Sequence, residues 1–98
     1  MNMPDPEDAQ AFFTLSNRFV NLANEIGEEH GRPRASAAIL WAASRYCAFT
    51  WVMSGASRTQ TPEEALDLFC AQYRKMLEDN LHFMGDQFAA VPAAPPTE

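Results

Sequence analysis

Basic residues are in short supply: 7 Lys plus Arg stand against 13 Asp plus Glu, a formal net charge of −6. That deficit excludes a general nucleic-acid binder, which needs a cationic footprint on phosphate. Cysteine is equally scarce. Cys47 and Cys70 are the only two, and neither sits in a C-x-x-C or His-paired spacing, so a disulfide scaffold and the common zinc motifs are excluded. Four glycines among 98 residues leave no room for a collagen-like repeat. Neither a P-loop nor a G-x-G-x-x-G fingerprint occurs, so nothing supports nucleotide binding. Met1 to Asp8 is acidic and lacks a positive stretch leading into an apolar run, which is not the pattern of a secretory signal. The two thiols are therefore expected to be reduced, small core residues of a cytosolic protein.

What the chain does have is apolar side chains, 47% of its residues, laid out at helical steps. In the first segment Asp5 suits an N-cap, Pro6 the first helical position, and Glu7 and Asp8 the positive end of the helix dipole. Phe12, Leu15, Phe19, Leu22 and Ile26 then recur at steps of three and four, with Asn17, Asn21, Asn24 and Glu28 on the opposite, wet face. Gly27 suits a left-handed C-cap. The pattern predicts a helix over about 6–26, followed by a turn through residues 27–34.

The second segment, about 34–53, is apolar nearly all round. Trp41, Phe49 and Val52 fall near one side, Ile39 and Tyr46 on another, Leu40 and Trp51 on a third. Ser36, Ala43, Cys47, Thr50 and Ser54 form a strip of small side chains. A helix of this kind is expected at the centre of an assembly. Ala35 to Met53 is nearly long enough to span a bilayer, but six of its residues are Ala and Arg45 stands mid-segment. A central Arg costs roughly 2.5–3.5 kcal/mol on insertion, so no membrane association is expected.

Gly55 supplies a stop, and residues 54–61 read as a polar linker. Thr61, Pro62 and Glu64 then spell a capping box. Leu66, Phe69, Tyr73, Met76, Leu77 and Met84 mark a third helix over about 62–84, with Arg74–Glu78 and Lys75–Asp79 as i,i+4 pairs on its outer side and Gly85 at its end. Residues 86–98, with three Pro and four Ala, read as a disordered or loosely docked tail. No internal repeat appears, no strand-period alternation, and no heptad run beyond one helix. The expectation is an all-α, three-helix antiparallel bundle forming a single domain over residues 1–85.

A monomer of this size would leave part of the second helix exposed. Trp41, Tyr46, Phe49, Trp51 and Val52 are therefore expected to form an interface that completes the bundle in a homodimer or higher even oligomer. Arg45 and Asn80 are the polar residues in apolar company. A buried guanidinium needs carboxylate or carbonyl partners, and the two residues are expected in a structural polar network. The alternative is a binder of a small anionic ligand that uses Arg45, or Arg32, Arg34 and Ser36 at the start of the second helix. Asp79 and His82 offer an i,i+3 carboxylate–imidazole pair, but His30 is remote and converging ligands are lacking, so no metal and no other cofactor is expected. No catalytic grouping of Cys–His or Ser–His–acid type is suggested by spacing, and an enzyme is not expected.

Three stretches carry a family resemblance: Phe-Thr-Leu-Ser-Asn-Arg-Phe-Val-Asn-Leu-Ala-Asn at 13–24, Ser-Ala-Ala-Ile-Leu-Trp-Ala-Ala-Ser-Arg-Tyr-Cys-Ala-Phe at 36–49, and Phe-Cys-Ala-Gln-Tyr-Arg-Lys-Met-Leu-Glu-Asp-Asn-Leu at 69–81. In this order they resemble a family of short, uncharacterised bacterial proteins that is defined as a domain of unknown function. Arg45 and Asn80 fall where the family also carries Arg and Asn, whereas Cys47 stands where an Asn is expected. The resemblance covers about residues 12–84. It implies a bacterial cytosolic origin and, as the family brings no established activity, supports nothing catalytic. The functional expectation is a self-associating interaction or scaffold module.

Overall fold

A computed structural model of the chain describes residues 6–89, with side chains from residue 8 onward. The N-cap assigned to Asp5 and the last nine residues of the tail lie outside the described residues. Among those described, three α-helices follow one another, α1 Pro6–His30, α2 Arg32–Met53 and α3 Pro62–Gln87, with one 3-10 turn at Ala56–Arg58 and no strand. The fold is all-α, as the periodicity predicts. The chain divides into two units, Met1–Thr59 and Gln60–Glu98.

In the first unit, α1 and α2 meet at a single non-helical residue. The expected turn over 27–34 does not exist: α1 runs three residues beyond Gly27, and α2 begins at Arg32. The reason lies in the relative costs of glycine and proline. Glycine inside a helix costs only about 1 kcal/mol relative to alanine, whereas proline costs about 3. Pro33 has no N–H for the Glu29 carbonyl, so a continuous helix must break just before it. The break falls at Gly31, whose φ of 94° and ψ of 148° belong to a region that only glycine visits at low cost. Hydrogen bonding continues on either side, since Gly31 N–H donates to the Gly27 carbonyl at 2.8 Å and its own carbonyl accepts from Ala35 N–H at 3.1 Å. Gly27 serves instead as the place of close approach. A Cβ built there would lie 3.8 Å from Cβ of Ala35, one of two buried apolar side chains among the described residues.

The far end of α2 matches its sequence. Gly55, at φ 86°, provides the left-handed stop, while Ser54 N–H donates to the Thr50 carbonyl and Gly55 N–H to that of Val52. The linker beyond it is partly wound: Arg58 N–H donates to Gly55 and Thr59 N–H to Ala56.

In the second unit the capping box is formed in full. Glu64 N–H donates to Thr61 Oγ1 at 3.1 Å, and Thr61 N–H donates to Glu64 Oε1 at 2.8 Å. Two donors that the helix cannot satisfy internally are thereby paired. Gly85 does not end α3. The helix continues to Gln87, and Phe88 N–H closes on the Met84 carbonyl at 2.9 Å. Asp86 and Gln87, assigned to the tail, are thus helical. No proline follows until Pro92, so nothing forces a stop at the glycine. Ala65 is the second buried apolar residue.

Candidate interaction surface

Side chains on α2 are distributed by its pitch of about 100° per residue. Arg34, Trp41, Arg45, Phe49 and Val52 fall within one broad face, and all five are exposed. Trp41 is 68% exposed, Phe49 54% and Val52 55%. Tyr46 flanks this face at 66% exposure, its ring tilted 42° against that of Phe49 at a centroid distance of 5.9 Å. Aromatic pairs at this separation hold each other's rotamers and present a preformed apolar surface. Trp51 departs from the expectation: it is half-buried and lies away from Trp41 and Phe49 around the helix.

Two hydroxyls of the small-residue strip are engaged on their own helix: Thr50 Oγ1 donates to the Cys47 carbonyl at 2.9 Å and Ser54 Oγ to that of Trp51 at 3.2 Å. Outside the strip, Ser44 Oγ donates in the same way to the Trp41 carbonyl at 2.8 Å. With their protons used on their own helix, these hydroxyls can meet an apolar surface without an unpaired donor. Of the two thiols, Cys47 is half-buried within this strip, but Cys70 is exposed on α3 and is not the core residue expected.

The residues singled out for an anion do not gather. Arg32 and Arg34, two positions apart, project about 200° from each other around α2. Arg32 shares its side with Ser36, four residues on, while Arg34 shares its side with Arg45, three turns away. Gly31 caps α2 without any side-chain bond, and no acidic residue stands in the first turn. Arg45 is exposed, which removes the need for buried carboxylate partners. Asn80 is also exposed, and its Nδ2 donates to the Met76 carbonyl one turn back on α3 at 3.0 Å.

On the outer side of α3, Lys75 Nζ donates to Asp79 Oδ1 at 2.9 Å. That hydrogen bond, followed by the attraction of the same carboxylate, raises the Lys75 ammonium above its ordinary pKa. The sign follows: this contribution is present below the ordinary lysine range and is lost as pH rises beyond it. Both side chains are well exposed, so its weight is small. The Asp79 of the carboxylate–imidazole pair is therefore engaged by a lysine. Among the described residues no group of three or more His, Cys, Asp or Glu could hold a metal ion. No helix among them is long and apolar enough to cross a membrane.

An all-helical chain with exposed apolar helix faces is the class that fold and surface define. The chain belongs to the family described as a protein of unknown function (DUF3144), which matches residues 12–83. The matched span takes in Arg45, Asn80 and every aromatic residue of the α2 face. No curated protein and no solved structure matches the chain.

Proposed function

We propose that the chain is a non-enzymatic bacterial module of the cytosol that self-associates into a homodimer or higher even oligomer, with α2 at the contact. One observation carries this reading: Trp41, Phe49 and Val52 along one side of a helix, and Tyr46 at its flank, are all at least half exposed. Contiguous apolar patches with aromatic anchors mark protein contacts, because water is an unfavourable neighbour for that much ring surface. Arg34 and Arg45 sit within the same face, where their stems can pack and their charges reach the rim. The separation of Arg32 from Arg34 speaks against a single anion pocket, and so favours the interaction module over the ligand binder.

Sedimentation equilibrium and native mass spectrometry of the untagged chain test this. The expected mass is an even multiple of 10.9 kDa with no adduct. Trp41→Ala should weaken association by roughly 30-fold, the effect of a central aromatic anchor, with helicity retained. Trp51→Ala, at the half-buried position, should do less. A bare monomer, or an association constant that Trp41→Ala leaves unchanged, would overturn the α2 interface. Extra mass that survives gentle desolvation would turn the reading toward the anionic ligand.

A further inference from the structure

α3 carries a second pattern, finer than its amphipathic stripe. From Leu66 one row of positions, five of its seven members apolar, steps to Phe69, Tyr73, Met76, Asn80 and Phe83 and ends on Gln87, in steps that alternate strictly between three and four. The mean step is 3.5 residues, the period of a coiled-coil seam and not the 3.6 of a free helix. All of these positions lie within the continuous helix Pro62–Gln87. Apart from the half-buried Phe69, they are exposed. The one internal polar member, Asn80, falls where Leu66 and Tyr73 also fall, at position a of the heptad.

We infer that α3 pairs in parallel with α3 of a second copy along this seam, with the two Asn80 side chains facing each other across the axis. A carboxamide is both donor and acceptor and so complements itself. In a parallel pair, position a meets position a, and each Asn80 finds its twin. An antiparallel pair sets a against d, which would press each amide onto Phe69, Met76 or Phe83 and leave its polar atoms unpaired. Only one Asn80 N–H is used within the helix, on the Met76 carbonyl, which leaves Oδ1 and the second N–H for the partner. A single polar residue at position a is the best-attested device for fixing register and strand number.

This contact is separate from the α2 interface, and the test keeps the two apart. In the full-length chain with Cys47→Ser and Cys70→Ser, Asn80→Cys places a thiol on the axis. Glu78→Cys places one on the outer face of the same helix. Under mild oxidation Asn80→Cys should give a covalent dimer about tenfold more readily than Glu78→Cys, since only facing a positions come within disulfide reach. Equal crosslinking of the two, or an Asn80→Cys chain that stays single while the parent chain is oligomeric, overturns the seam and leaves the α2 interface standing. Crosslinking at position 80 with an oligomer mass indifferent to Trp41→Ala does the reverse. Asn80→Leu gives an independent reading. It should raise the thermal midpoint and broaden the assembly to larger species, and an unchanged midpoint and mass would also sink the proposal.

Discussion

Gly31→Ala should destabilise the first unit by roughly 1–3 kcal/mol, the cost of forcing an L side chain into backbone reserved for glycine. The effect does not come from crowding, because the nearest atom to a Cβ at that position is Pro33 Cδ, 3.9 Å away. It comes from φ 94° alone, and no repacking can relieve it while the elbow keeps its shape. Urea melts followed by far-ultraviolet circular dichroism would show a lower midpoint with an unchanged slope. An unchanged midpoint would mean that the backbone at residue 31 relaxes into an ordinary conformation and that the two helices reorient. A paired substitution of Pro33 by Ala distinguishes these routes. Once proline is gone, α1 and α2 can run on as one helix, and the strain at residue 31 is avoidable.

The second large effect is expected at the start of α3. Thr61→Ala should cost about 1–2 kcal/mol, because it orphans the Glu64 N–H and releases the Glu64 carboxylate from its reciprocal bond. The same carboxylate also lies at the positive end of the helix dipole, where it remains favourable without the threonine. Glu64→Ala should therefore cost a comparable amount, and the double variant less than the sum of the two. Far-ultraviolet melts of the four chains complete the cycle. Strict additivity would mean that the two hydrogen bonds act independently.

The sequence was most legible where a local rule had no rival. Thr61, Pro62 and Glu64 can do little else than start a helix, and that start is where they place it. Gly55 stopped α2 as expected. The boundaries at Gly27 and Gly85 were not legible, because a glycine within a helix and a glycine at its end read alike. What decided the first case was Pro33, six residues on, and in the second the distance to Pro92. The spread of the candidate anion residues has a geometric reason. Arg32 and Arg34 are neighbours in a loop but stand on opposite sides of a helix, and which applies depends on the boundary. The face bearing Trp41, Phe49 and Val52 could be read from spacing. The half-burial of Trp51 could not, since in a helix that is apolar nearly all round periodicity does not say which side is covered.

The elbow at Gly31 also has a kinetic consequence. Its closing contact joins Gly27 to Ala35, eight residues apart, and the capping box that starts α3 spans only three. Structure built from such near neighbours forms without a long loop search, on the microsecond-to-millisecond scale of helical domains. Burying the aromatic face of α2 by the proposed self-association, in contrast, would be a second-order event whose rate depends on encounter between chains. Winding and assembly would thus be separated in time. On the proposed assembly, a helical, single-chain species that displays its rings to solvent would lie between them, its lifetime set by protein concentration and not by the speed of folding.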